Sequence, residues 1–139
     1  MPVMRRLEGW EQRLDAALVA AARKPYVIGQ HDCALFALDV VRVLTGADLG
    51  AAVRGYRTEA GALRVIRRLG GAGLREAASA VLGCEPGPVA LAQRGDVLLA
   101  LDDQGREHLG ICAGATGALL GPGGITYQRL DRFSCAWRV

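Results

Sequence analysis

The sequence predicts an α+β fold in which N-terminal helices pack on a C-terminal antiparallel sheet. Three observations carry this. Apolar residues recur at helical spacing up to Leu82, strand-length apolar runs separated by turn residues begin at Asp96, and most of the 19 glycines fall after Leu69. A chain of 139 residues suits one domain, residues 1–139, with its own core. An apolar fraction of 51% against 22% charge excludes a disordered composition.

The elements follow in order. From about Arg5 to Arg23, Leu7, Trp10, Leu14, Leu18 and Ala21 form one apolar stripe, and Pro25 ends the helix. A second helix runs from Asp32 or Cys33 to Leu44, stopped by Gly46. It is apolar on most sides, so it belongs in the middle of the core. Thr58 is placed to N-cap a helix ending at Leu69 before Gly70 and Gly71, and a shorter helix spans Leu74–Leu82. "DVLLAL" (96–101) and "EHLGICAG" (107–114) read as strands joined by the turn "DDQG". "GITYQRL" and "SCAWRV" add further short strands.

Composition narrows function. Net charge is +3, and the only basic cluster is Arg64, Arg67 and Arg68, the solvated face of one helix. Aromatics make up 5%, too few to interleave with a basic stripe, which argues against a nucleic-acid partner. No run approaches the ~20 apolar residues of a membrane span. Polar "LEGWEQRLD" follows Arg5 and Arg6 where a signal peptide would be apolar, so the expected location as synthesised is cytoplasmic. Cys33, Cys84, Cys112 and Cys135 form no CxxC pair; neither a metal nor a cofactor is expected. Cys84, Cys112 and Cys135 are expected to pack as small apolar residues.

Two residues carry chemistry. Cys33 falls at a helix N-terminus, where unpaired N–H groups favour an anion, whether a thiolate or the oxyanion of a tetrahedral intermediate. His108 heads an apolar strand and shares a strand face with Gly110 and Cys112. Gly110 would let the Cys33 helix approach on that face, bringing imidazole to thiol as nucleophilic catalysis requires. His31, on the turn before Cys33, competes as the base and ranks second. The bland alternatives are a packed cysteine and a hydrogen-bonded histidine.

"PYVIGQHDCALF" (25–36) and "RGDVLLALDDQGREHLGICAG" (94–114) resemble the two motifs of the NlpC-type cell-wall peptidases, papain-like cysteine hydrolases of bacteria and their phages. Pro25, Tyr26, Gly29, Asp32 and Cys33 match the first, and Gly95, Asp96, His108, Gly110, Ile111 and Gly114 the second. The compact layout is similar to small members encoded in phage tail-gene clusters. The resemblance implies a papain-like fold, peptidoglycan stem peptides as substrate and other phage tail proteins as partners, with the virion tail as a second location. It gives Cys33 the role of nucleophile and His108 that of base. Tyr26 would assist the oxyanion, Asp32 would cap the helix or order the turn, and Gly29 would supply a backbone conformation forbidden to other residues. Three features depart from the pattern. "AL" replaces the small pair after the nucleophile, the Gly-to-Asp-Cys insertion is short, and the strand position after the base falls near Leu120–Gly121, without a polar side chain. Thr126 and Gln128 are the substitutes at hand for orienting the imidazole. Two functions follow: a thiol-dependent amide hydrolase, or a structural or binding component of a particle with a vestigial site.

Overall fold

The computed structural model describes residues 4–139. Helix α1 (Trp10–Arg23) starts later than the apolar stripe suggests. Gly9, at φ 73°, turns the chain immediately before it. Residues 4–9 are therefore not helical, and the Arg6 side chain is free for another task. It donates from Nε to the Val139 carbonyl (2.8 Å) and from Nη2 to Asp96 Oδ1 (3.0 Å). Asp96 is buried and also accepts from the Val139 and Gln93 N–H groups. The Gly-Asp motif thus joins the segment before α1, the start of the sheet and residue 139.

Helix α2 (Cys33–Thr45) is bounded as the sequence indicates. Asp32 caps its start through the Leu35 N–H, and Gly46 at φ 82° ends it. Helix α3 (Glu59–Leu69) is capped by Thr58, whose hydroxyl accepts from the Gly61 N–H. Helix α4 (Leu74–Leu82) follows after Gly70–Gly73, its first N–H received by the Glu107 carboxylate.

The strands are β1 (Val97–Leu101), β2 (Glu107–Cys112), β3 (Thr116–Gly121), β4 (Gly124–Arg129) and β5 (Phe133–Trp137). They form one antiparallel sheet in the order β4-β3-β2-β1-β5. β3 is the strand the composition concealed, because Gly117 and Gly121 weaken its pattern. Gly117 is needed there: a Cβ would run into the Phe133 ring.

Alternation divides the sheet into two faces. Leu99, Leu109, Ile111 and Trp137 pack with α2 in the main core, while Leu98, Ala100, Cys112 and Phe133 form a smaller cluster behind. This corrects the expected approach of α2 on the Gly110 face. The helix covers the Leu109 face, and Gly110 instead makes room for β3, since a Cβ there would lie 2.6 Å from the Ala118 carbonyl oxygen. Among the cysteines, Cys112 and Cys135 are buried as expected. Cys84 is exposed, because it follows the Gly83 cap in the connection leaving α4.

Candidate active site

The turn before Cys33 is held from three sides. An antiparallel bridge joins Val27 to His31, and Gly29 reverses the chain at φ 84°. A side chain at Gly29 would also collide with the Tyr56 carbonyl oxygen, so the site excludes one on two counts. The buried Asp32 carboxylate uses both oxygens. Oδ1 accepts from Leu35 N–H (3.0 Å), and Oδ2 accepts from Gly29 N–H (2.9 Å) and the Tyr56 hydroxyl (2.5 Å). Burial first, then the hydrogen bond to Asp32, pushes the Tyr56 pKa upward, so the phenol keeps the proton it donates. Asp32 is thereby committed to backbone and Tyr56, which fits a cap and turn organiser.

His31 is also structural. It is buried, its Nε2 lies 2.9 Å from the Ala21 carbonyl, and its ring meets Phe36 edge-on at 6.5 Å. It pins the turn to α1. Its Nδ1 has no hydrogen-bond partner among the described residues.

Cys33 is the first residue of α2 and is half-buried. Helix geometry leaves its own N–H and that of Ala34 without intrahelical acceptors. His108 is the second residue of β2, where the strand is still open to solvent, and its side chain is 38% exposed. Nε2 of the ring lies 3.0 Å from Asp102 Oδ2. With Nε2 on Asp102, Nδ1 is the ring nitrogen left for another partner. The hydrogen bond and charge of Cys33, followed by those of Asp102, raise the His108 pKa to about 9 against the opposing effect of burial. The imidazolium is therefore the favoured form at neutral pH.

Asp102 is the residue the sequence reading missed. It stands in the "DDQG" turn, where Oδ1 accepts from the Gln104 and Arg106 N–H groups (2.8 and 2.9 Å) and leaves Oδ2 for His108. The hydrogen bond from His108, then the backbone one from Arg106, hold its carboxyl down to about 2. Hairpin register was the available signal. Leu101 pairs with Glu107 and Ala100 with His108, so Asp102 and His108 are diagonal neighbours across the β1–β2 turn. Thr126 and Gln128 do not meet the imidazole; they sit on β4 opposite Leu119 and Gly117. The carboxylate at the ring thus comes from the turn after β1 rather than from the region of Leu120–Gly121.

Tyr26 is half-buried near Cys33. Burial, then the charges of Cys33, Asp32 and Glu59, raise its pKa, so the phenol keeps its proton. Among the described residues no group of three His, Cys, Asp or Glu is arranged to hold a metal ion. No helix among them is long and apolar enough to cross a membrane.

The fold is similar to a known one. The crystal structure of the NlpC/p60 domain of the peptidoglycan hydrolase SagA superposes with a TM-score of 0.55 at 19% identity, covering 93% of this chain and 98% of that one. At this identity the likeness is one of fold, the papain-like NlpC/p60 arrangement of helices followed by a five-stranded antiparallel sheet. No curated protein matches. Residues 5–139 match the family described as Domain of unknown function (DUF6950), and the chain belongs to that family.

Proposed function

We propose that this protein is a cysteine-dependent amide hydrolase, with Cys33 as nucleophile, His108 as acid–base group and Asp102 as the residue that positions the imidazole. One observation carries the reading. Cys33 is the first residue of a helix, it is the largest influence on the His108 imidazole, and Nε2 of that ring is held by the Asp102 carboxylate. In this reading the sulfur attacks the amide carbon and His108 gives its proton to the departing amine. Water, deprotonated by the now neutral His108, then releases the acid from the thioester and restores the thiol. The uncommitted N–H groups at the start of α2 and the Tyr26 hydroxyl are the donors available to the oxyanion.

The substrate class we propose is the peptide of peptidoglycan. The support is the fold shared with a domain of a peptidoglycan hydrolase, together with the two sequence motifs around Cys33 and His108. The alternative of a vestigial site drew on the apparent lack of a third polar residue, and Asp102 at Nε2 removes that ground. The test has two arms. Iodoacetamide should alkylate Cys33 faster than a free thiol at neutral pH, and purified protein should release amines from cell-wall peptides in a way that Cys33→Ala abolishes. Alkylation at the free-thiol rate together with no amine release would refute the proposal.

A further inference from the structure

The two edges of the sheet differ. At β5 the edge is covered, since Gly87 and Ala136 exchange backbone hydrogen bonds of 2.7 and 3.0 Å. At β4 no segment among the described residues pairs with the outer edge. Its sequence "GITYQR" also lacks the usual guards of a free edge. It has no proline, no lysine and no bulge, and Arg129 at its end is drawn to Asp131. An open groove separates this strand from α1, lined by Asp15, Leu18, Val19, Ala22, Arg23 and Tyr127. Val19 is 53% exposed and Tyr127 54%, so a helix flank and a strand edge lie bare side by side.

The charges on this flank say what fits it. Asp15, Val19 and Arg23 are spaced by four, so they form one row along α1 with Val19 midway between an acid and a base. A two-fold axis at Val19 runs an identical row antiparallel to it. Asp15 of each copy then meets Arg23 of the other, each about 6 Å along the helix from the axis. Arg23 makes no ion pair within the chain among the described residues, and Asp15 reaches Arg94 but stays 69% exposed. We propose that two copies of this chain associate through this flank, α1 against α1 and β4 against β4, joining their sheets edge to edge. One axis perpendicular to the sheet serves both pairings, because it makes the strands antiparallel as well as the helices. The strand edges satisfy each other's free backbone groups. Val19 and Tyr127 of both copies form the apolar centre, and the Asp15–Arg23 pairs form its charged rim. The inference does not depend on the role of Cys33.

The experiment is sedimentation velocity on the full chain from about 1 to 500 μM, a range that reaches interfaces of modest affinity. Wild type should pass from 14.7 kDa to twice that mass as concentration rises. Asp15→Arg and Arg23→Asp each turn both ion contacts into repulsions, and each should weaken association at least about 10-fold. Mixed in equal amounts, the two variants again set acid against base, and the mixed dimer should form at least as readily as the wild-type one. Circular dichroism checks that the variants stay folded, as substitutions of exposed residues should. Backbone hydrogen exchange on wild type should show residues 125–128 gaining protection on association, and it decides alone should a reversal unfold the chain. A wild type that stays monomeric to the top of the range would overturn the proposal. So would a dimer indifferent to either reversal, or a mixture that fails to recover. Protection gained on α1 without any on β4 would refute the joined sheet.

Discussion

Tyr56→Phe isolates the network that holds the nucleophile turn. The ring keeps its shape, and only the hydroxyl donating to Asp32 Oδ2 is lost. Asp32 is 6% exposed, so water cannot easily replace that donor, and the carboxylate is left with the Leu35 and Gly29 N–H groups. A hydrogen bond to a charged group contributes about 1.5–3 kcal/mol. For 139 residues, an unfolding entropy of about 2.1 cal/mol/K per residue turns this into a fall in Tm of roughly 5–10 °C. Urea denaturation of wild type, Tyr56→Phe, Asp32→Asn and the double variant measures the loss and its coupling. Because both groups share one hydrogen bond, the double variant should lose clearly less than the sum of the singles. Cys33 follows Asp32 directly, so its alkylation rate should fall in parallel. A loss below about 0.5 kcal/mol, or strict additivity, would refute the claim that Tyr56 and Asp32 act as one unit.

Further outcomes follow from the same geometry. Asp102→Asn keeps the shape but weakens acceptance from Nε2, and should lower kcat on cell-wall peptides by roughly 10²-fold. That is less than the ~10⁴ seen for a buried triad aspartate, because Asp102 is exposed to water. Arg6→Met leaves Asp96 buried without its ion partner and should cost about 3–5 kcal/mol in urea denaturation, with little change in Cys33 alkylation. Gly110→Ala drives a Cβ against the Ala118 carbonyl and should cost about 1–3 kcal/mol by wedging β2 from β3, measured by thermal unfolding. The His108 pKa lies above its unfolded value of 6.5, so its contribution to stability is full below that value and is lost as pH rises through about 9. The stability difference between wild type and His108→Gln should therefore be larger at pH 6 than at pH 9.5.

The parts of the fold set by local chemistry were readable in advance. Thr58, Asp32 and Gly46 announce the ends of their helices through capping groups and a left-handed turn, and the structure has each in that role. What local chemistry cannot announce is a non-local use of a side chain. Arg6 leaves the helical stripe because Asp96 and Val139, far along the chain, need it. β3 looks unlike a strand because Gly117 yields its side chain's space to Phe133. Cys33 and His108 stood out as chemically capable residues, whereas the packing of α2 over Leu109 and Ile111 rather than on the Gly110 face was not foreseen. Asp102 read as an ordinary turn aspartate, which it also is. Its second oxygen becomes visible only when the hairpin register is counted.

The central claim is that Cys33, His108 and Asp102 form one interacting unit, and the titration of the His108 ring tests it most directly. Proton NMR of the imidazole carbon-bound protons from pH 5 to 11 should give a midpoint near 9 in wild type. That midpoint should fall markedly toward 6.5 in Cys33→Ala and by less in Asp102→Asn, since the thiol is the larger influence. A midpoint near 6.5 that is unmoved by replacing Cys33 would contradict the account.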